Sequence, residues 1–330
     1  MFNYSTFTAA MVRQIRAQED TLRLMNETCR SQFFLQPTPS RKVCLFFHGF
    51  TAVPYQFVPL AEAFFKAGYS VLIPLLPGHG RSGYWNAAHP PPLPETAQIY
   101  EQFGLYWLQQ AQALGNQVIV GGLSGGGTLA AWLALTHPRQ VERTLLFAPY
   151  LSNSNKVVDL FVRLFNGYFE WKTKPGRAHF GYDGFLMPAL EVFLNLGRDV
   201  LLQAQKRFMV PMLMVSSESD RAVGNRDHQA LFETGLRFQP KSWYCYFDRA
   251  LDIPHTMMTK AEGNNYQNLL ITIAKAYLES DLTWDEVEEI GYRLRQGTTF
   301  NAVLSELNLG QRVSPDLSAI ITMMLNGSLS

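Results

Sequence analysis

The chain has 330 residues, of which 47% are hydrophobic, 13% are aromatic and 17% are charged, and its formal net charge is +1. This composition excludes intrinsic disorder, and the balanced charge excludes a strongly electrostatic partner such as nucleic acid or an acidic membrane surface. The length is sufficient for a large α/β domain with a substantial buried core.

The first twenty residues lack the apolar core and the cleavage site of a signal peptide. No apolar run is long enough to span a bilayer, so a cytoplasmic protein is expected. The three cysteines, Cys29, Cys44 and Cys245, are too few and too scattered for a disulfide framework or a metal site. Three buried thiols and no bound metal are therefore predicted.

Strand-like and helix-like segments alternate from about Val43 onward. Short apolar runs predict strands and amphipathic stretches predict helices. In chain order these are strand 43–47, helix 56–67, strand 69–73, helix 95–114, strand 118–120, helix 128–136, strand 141–147, strand 211–216, helix 226–236, strand 243–247 and helix 266–278. Strands separated by helices predict an α/β fold with a mostly parallel sheet flanked by helices.

The same pattern predicts four regions of the chain. Residues 1–41 form an N-terminal extension, and residues 42–149 and 208–280 form the α/β core. Residues 150–207 are irregular and aromatic with no clean strand, so they form an insertion between two strands. Residues 281–330 form a helical C-terminal tail, which serves either as a dimerisation element for a homodimer or as extra helices packed on the core.

The segment from Gly122 to Gly126 reads G-x-S-x-G, with Ser124 at its centre. An apolar strand ends immediately before it and a small-residue helix begins immediately after it, which is the context that a nucleophile elbow requires. The dipole of that helix favours an anion near the serine. A glycine-rich phosphate loop is the alternative, but no Walker lysine follows and the glycines are not spaced as in G-x-G-x-x-G.

A nucleophilic serine needs a base and a carboxylate, which follow it in the order Ser, Asp, His in this architecture. Asp220 comes directly after the strand 211–216, and His255 lies in the loop after the strand 243–247. His255 is predicted to take the Ser124 proton, and Asp220 to orient the imidazole. Glu218 is an alternative to Asp220 as the carboxylate. Asp248 and Asp252 lie near His255 but are expected to be turn residues, and His137 and His228 are expected to be cap or surface residues.

An oxyanion hole needs two backbone N–H groups. The residue after the nucleophile supplies one of them, here Gly125, and a loop after an early strand supplies the other. The segment from His48 to Thr51 occupies that loop, and the N–H of Phe50 is the candidate donor. His48 is expected to brace the loop rather than to transfer protons.

Four segments together resemble the α/β-hydrolase superfamily: His48-Gly49-Phe50, Pro77-Gly78-His79-Gly80-Arg81-Ser82, the Ser124 elbow, and the Asp220 and His255 loops. Within that superfamily the chain resembles carboxylesterases and monoacylglycerol lipases. The resemblance implies an α/β-hydrolase fold, no cofactor, and a lid formed by residues 150–207. It also implies that Ser124, Asp220 and His255 form a catalytic triad. One departure is Gly125, since a bulkier residue often follows the serine, and a looser turn is expected there.

These features predict a serine hydrolase that cleaves carboxylic esters through an acyl-enzyme. An acyltransferase or thioesterase with the same triad, and a non-catalytic binding protein on the same fold, are the alternatives. The aromatic insertion predicts a small-molecule ester with an apolar acyl or alcohol part. Phe161, Phe165 and Phe169 are its candidate contacts, although packing of the lid onto the sheet also explains such aromatic residues.

Overall fold

A computed structural model describes residues 3–153, 167–171, 176–207 and 209–323. A seven-stranded sheet lies at its centre, with the strand order β1-β3-β2-β4-β5-β8-β9. Its strands are β1 (Gln32–Phe34), β2 (Lys42–Phe47), β3 (Ser70–Ile73), β4 (Gln117–Leu123), β5 (Arg143–Phe147), β8 (Met212–Ser217) and β9 (Trp243–Phe247). Strand β1 pairs antiparallel with β3, and every other pair in this sheet is parallel.

Helices cover both faces of the sheet. They are α1 (Tyr4–Asp20), α2 (Val58–Lys66), α3 (Ala97–Leu114), α4 (Gly125–Thr136), α5 (Met187–Ala204), α6 (Asn225–Leu236), α7 (Gln267–Glu279), α8 (Trp284–Arg295), α9 (Phe300–Glu306) and α10 (Pro315–Met323). Because both faces are covered, the side chains of the central strands are buried on either side, and Val43 through Phe47 are fully buried. This explains why these strands read as continuous apolar runs in the sequence.

The predicted α/β fold and its mostly parallel sheet are confirmed. The predicted strand 118–120 is too short, because β4 continues through Gly121 and Gly122 and pairs there with Leu145 and Leu146 of β5. The ladder uses only backbone groups, so the two glycines do not interrupt it. A Cβ on Gly121 would lie 2.8 Å from the Leu145 carbonyl oxygen, which explains the small residue.

The prediction that residues 150–207 are irregular, with no clean strand, is wrong for the described part of that range. Strands β6 (Tyr168–Glu170) and β7 (Gly184–Leu186) form an antiparallel hairpin, and α5 follows directly. Pro188 near the start of α5 suits a first helical turn, where its missing N–H leaves no bond unmade. Helix α5 packs against α4, and a Cβ on Gly197 would lie 2.6 Å from the Tyr150 carbonyl oxygen.

The N-terminal region contains two elements that the sequence pattern did not predict. Helix α1 buries Met11 and Ile15 in the main core, and the side chain of Asn3 accepts a hydrogen bond from the N–H of Thr6 at its start. Strand β1 extends the sheet beyond β3. The boundary at residue 42 stays a prediction.

The described part of the tail packs on the core. Leu282 and Ile290 are buried there, and the Trp243 indole N–H donates to the Leu282 carbonyl oxygen. Arg312 and Glu286 form a two-pronged ion pair between segments of the tail. These contacts fit the alternative of extra core helices, and the homodimer stays a prediction. Among the described residues, no helix combines the length and the apolar character needed to cross a membrane.

Candidate active site

Ser124 is the single residue between β4 and α4. Its backbone has φ 54° and ψ −121°, a conformation that costs a residue with a side chain free energy. Three backbone hydrogen bonds hold it: its N–H donates to the carbonyl of Phe147, and its own carbonyl accepts from the N–H groups of Thr128 and Tyr150. The chain therefore turns sharply here and presents the serine side chain at the edge of the sheet where β4 ends.

The elbow depends on close backbone approach. A Cβ on Gly122 would lie 2.3 Å from the carbonyl of Gly126, and a Cβ on Gly126 would lie 2.2 Å from the Phe47 carbonyl oxygen. The three atoms nearest to a Cβ on Gly125 would all be ring atoms of Phe193, at 3.1–3.2 Å. Gly125 thus lies directly against a buried aromatic side chain.

Asp220 and His255 lie next to each other in the loops that follow β8 and β9. The imidazole donates from Nδ1 to Oδ2 of the carboxylate over 2.7 Å. The Asp220 side chain is fully buried, and its other oxygen accepts from the N–H of Ala222 at 2.8 Å. His255 keeps 23% of its side chain exposed. The carboxylate thus fixes the ring so that Nε2 carries the free lone pair.

The charges of this pair shift both pKa values. Burial alone would raise the pKa of Asp220, but the charge and hydrogen bond of His255 bring it below its ordinary value. Burial alone would lower the pKa of His255, but the charge and hydrogen bond of Asp220, and then the charge of Glu262, bring it above its ordinary value. Each partner therefore favours the charged form of the other.

The three predicted triad residues follow the carboxyl ends of parallel strands β4, β8 and β9, which meet at one edge of the sheet. The structure joins Asp220 to His255 by a hydrogen bond. Among the described residues, neither the Ser124 hydroxyl nor Nε2 of His255 takes part in a hydrogen bond, so no hydrogen bond joins the serine to this pair.

The loop of residues 48–52 follows β2 at the same edge, and it is here called the oxyanion loop because the sequence predicts an oxyanion donor in it. Among the described residues, the N–H groups of Phe50 and Gly125 donate to no backbone carbonyl. Thr51, which follows Phe50, has φ 65° and is held at three points: its N–H by His79, its carbonyl by the N–H of Tyr182, and its hydroxyl by the indole of Trp171. These bonds fix the backbone beside Phe50.

Two buried histidines join the oxyanion loop to the loop after β3. His48 accepts the N–H of Leu76 at Nε2, and His79 accepts the N–H of Thr51 at Nε2. Burial, together with the nearby His79, lowers the pKa of His48 well below its ordinary value, and burial lowers the pKa of His79 to about 4. Both rings are therefore neutral braces, as expected for His48.

The other two candidate histidines, His228 and His137, make different contacts. The expectation that His228 is a cap or surface residue is wrong, because its side chain is fully buried between the Ser216 hydroxyl and the Pro149 carbonyl. Burial lowers its pKa to about 4. His137 lies at the end of α4, beside the hydroxyl of Thr136.

The alternative carboxylates in the loops have other partners or turn conformations. Glu218 pairs with Arg249. Asp248 accepts the N–H of Ala250 in a short turn, and Asp252 adopts a left-handed conformation with φ 42°. These positions match turn residues rather than an orienting acid.

A second buried carboxylate near His255 was missed. Glu262 is 4% exposed, and its two oxygens accept from the Gln56 amide and from the Thr259 hydroxyl, both over 2.8 Å. Burial raises the pKa of Glu262. The sequence does carry a local signal, because Thr259 and Glu262 have the three-residue spacing in which a hydroxyl and a backbone N–H bond each other.

The candidate substrate contacts divide into two groups. Phe161 and Phe165 lie outside the described residues. Phe169 is 41% exposed on β6, and its ring packs against Trp171 and against Phe185, which also contacts Phe50. Phe169 therefore belongs to an aromatic group that reaches the oxyanion loop.

The cysteines form no disulfide. Cys29 and Cys44 are buried, and Cys245 is half-buried. In the part of the chain that the structure describes, no group of three or more His, Cys, Asp or Glu side chains is arranged to hold a metal ion.

Comparison with known sequences gives matches to part of the chain. The Hydrolase_4 family, described as serine aminopeptidase S33, matches residues 38–178. A thermostable monoacylglycerol lipase of Bacillus sp. strain H-257 is 43% identical over 94 residues, and a curated protein of Mycoplasma pneumoniae is 31% identical over 127 residues. The matches cover 28% and 38% of this chain, and the chain spans only 35% and 43% of the lengths of these two relatives.

Comparison with solved structures covers more of the chain. One of the metagenome-derived lipolytic enzymes LipS and LipT has a TM-score of 0.60 and 19% identity, covering 76% of this chain and 96% of that one. A monoacylglycerol lipase of Paleococcus ferrophilus has a TM-score of 0.57 and 16% identity, covering 74% and 95%. At these identities the likeness shows the fold. The chain therefore has the α/β-hydrolase fold, and it resembles carboxylesterases and monoacylglycerol lipases.

Proposed function

We propose that the protein hydrolyses carboxylic esters through an acyl-enzyme on Ser124. The observation that carries this proposal is the strained turn at Ser124, at the same sheet edge as the hydrogen-bonded pair of His255 and Asp220. The relatives named as monoacylglycerol lipase and lipolytic enzyme support ester chemistry for this fold.

In the proposed reaction, Nε2 of His255 takes the proton of the Ser124 hydroxyl while the oxygen attacks the ester carbonyl carbon. The N–H groups of Phe50 and Gly125 donate to the oxyanion that forms. The carbonyl re-forms as the alcohol leaves with the proton from His255. A water molecule, deprotonated by His255, then attacks the acyl-enzyme, and the acid is released as Ser124 regains its proton. Asp220 stabilises the imidazolium in both steps.

The aromatic group around Phe50, Phe169 and Phe185 supports an apolar acyl or alcohol part in the substrate. Removing apolar surface from water stabilises a complex by about 25 cal/mol per Å². An acyltransferase or a thioesterase would use the same residues. Adding an alcohol acceptor and analysing the products separates hydrolysis from transfer. Comparing an ester with its thioester analogue separates the esterase from the thioesterase.

Labelling with a fluorophosphonate probe tests the proposed nucleophile. The wild-type protein should be labelled, and Ser124→Ala should not be, because the probe phosphonylates only an activated serine. Peptide mapping should place the adduct on Ser124, and short-chain p-nitrophenyl esters should be hydrolysed. Labelling that survives Ser124→Ala would overturn the assignment, and a folded wild-type protein that neither reacts nor hydrolyses esters would favour a binding protein.

The pH dependence of kcat/KM should show an acid limb with its midpoint above the ordinary imidazole pKa of about 6.5. Catalysis needs neutral His255, and the charges of Asp220 and Glu262 raise its pKa, so protonation inactivates the protein at a higher pH than usual. His228, which also faces this group, has a pKa of about 4 and is neutral across this range.

Glu262→Gln removes one of the two negative charges and should lower that midpoint. Initial rates at low substrate concentration between pH 4 and pH 9 would measure both effects. A wild-type midpoint at or below the ordinary value, or no change on substitution, would contradict this explanation of the His255 pKa.

A further inference from the structure

A buried polar bridge connects the His255 loop to the oxyanion loop. The Gln56 side chain is 1% exposed, and its amide oxygen accepts the N–H of Gly49 over 2.9 Å. Its amide nitrogen donates to Glu262 over 2.8 Å. Gly49 immediately precedes Phe50, the proposed oxyanion donor, so this bridge fixes the backbone next to that donor.

The direction of each bond in the bridge is determined by Glu262. An ionised carboxylate only accepts hydrogen bonds, and here it receives one from the Gln56 amide and one from the Thr259 hydroxyl. The nitrogen of the amide must therefore face Glu262, and its oxygen must face Gly49. With the amide turned over, two donors would meet at Gly49, and a buried donor without an acceptor costs about 1–3 kcal/mol.

The two imidazoles near the carboxylate come from different parts of the fold. The charges of His179 and His255 each act to lower the pKa of Glu262 against the effect of burial. His179 lies in the inserted region, next to the Ala178 N–H that donates to the Ala261 carbonyl. Burial nevertheless has the larger effect and raises the pKa of Glu262, so the hydrogen bonds from Gln56 and Thr259 are what hold this buried carboxylate in place.

We propose that Glu262, acting through Gln56, is a positioning residue that holds the oxyanion loop in its catalytic geometry, an inference that rests on the proposed function. Glu262 contacts neither Ser124 nor the ester. Its effect is on the position of the Phe50 N–H, and that N–H binds the oxyanion more strongly than the ester carbonyl. Loss of the bridge should therefore lower kcat and leave KM nearly unchanged.

The test is a reciprocal exchange of the two side chains. Gln56→Glu alone places two carboxylates where an amide now donates to one. At a pH high enough to ionise both, they repel each other and the bridge breaks, so kcat for p-nitrophenyl ester hydrolysis should fall by about 10²-fold. Adding Glu262→Gln restores every donor and acceptor in the bridge, with the carboxylate now accepting from Gly49. The double variant should recover kcat to within about tenfold of wild type, with KM within about threefold throughout.

One control variant, one fallback variant and the activity of the wild type separate this effect from instability and from failure of the proposed function. Glu19→Gln makes the same change at another buried carboxylate, which accepts the N–H of Ser31, and should leave kcat unchanged. If Gln56→Glu does not fold, Glu262→Gln is the test instead. The Gln56 amide then loses its carboxylate acceptor, and kcat should fall by about tenfold. A wild-type protein that hydrolyses no ester overturns the proposed function and this inference together.

If the wild type is active and a folded Gln56→Glu variant has the same kcat under the same conditions, this inference is wrong while the proposed function stands. A fall in kcat that the double variant does not reverse also overturns the inference, as does an unchanged kcat in Glu262→Gln when the first variant does not fold.

Discussion

Replacing His255 with alanine should lower kcat for ester hydrolysis by about 10⁴-fold or more, with the protein still folded. The ring contributes to the fold mainly through its bond to Asp220, and 23% of its side chain is exposed, so the loss of packing is limited. Without the imidazole, the Ser124 hydroxyl has no general base to take its proton, and only the proposed oxyanion donors still assist its attack on the ester. Steady-state kinetics and a thermal melt on the same preparation would measure both quantities.

The residues of a triad act as a unit, so their effects should not add. The double variant Ser124→Ala with His255→Ala should be no slower than either single variant by more than about threefold, because each change alone already removes the nucleophilic route. His137→Ala is the matched control, since that histidine lies at the end of α4 beside Thr136. Equal losses in His137→Ala, or multiplying losses in the double variant, would contradict the assignment.

The turn at Ser124 and the positions of the Asp220 and His255 loops could be predicted because each depends on neighbouring residues in the sequence. The turn at Ser124 follows from its immediate neighbours, an apolar strand before it and glycines around it, and the sequence displays all of these within a few residues. Asp220 and His255 could be placed because each follows a recognisable strand, and parallel strands bring their carboxyl ends to one edge.

What the sequence did not reveal depends on distant contacts. The bond between Gln56 and Glu262 joins residues 206 positions apart, so no local pattern indicates it. Helix α5 is a different case, because its sequence does carry a helical signal. Its buried residues Val192, Leu196 and Val200 recur every four positions, as on one face of a helix. The buried position of His228 arises from the Pro149 carbonyl across the sheet edge.

The sequence predicts a looser turn because Gly125 follows Ser124, and the packing around Gly125 bears on that prediction. Gly125 lies against Phe193, whose fully buried ring also packs on Tyr100 and on Phe50. The space that a bulkier side chain would take is filled by this ring. Gly125 and Gly126 thus have different neighbours, one a side chain and the other backbone, and this difference can be tested.

Gly126→Ala should lower kcat by about 10²-fold or more and also lower the melting temperature, because the new Cβ would lie 2.2 Å from the Phe47 carbonyl oxygen and 2.4 Å from that of His48. Backbone atoms of the central strand cannot move aside singly, so the start of α4 must shift. That shift moves the Ser124 hydroxyl and the Gly125 N–H away from the ester together. Helix propensity alone predicts the opposite, since alanine in a helix is favoured over glycine by about 1 kcal/mol.

Gly125→Ala is the matched variant, one residue earlier in the same helix. Its Cβ would meet Phe193 ring atoms at 3.1–3.2 Å, and a ring can move by a few tenths of an ångström. Overpacking of this kind costs about 1–3 kcal/mol, and the N–H needed at the oxyanion is kept, so kcat should fall by no more than about tenfold. Kinetics and melting curves on the two variants therefore compare a backbone clash with a side-chain clash at the same helix terminus. Equal losses at the two positions would show that close backbone approach does not set the geometry of the elbow.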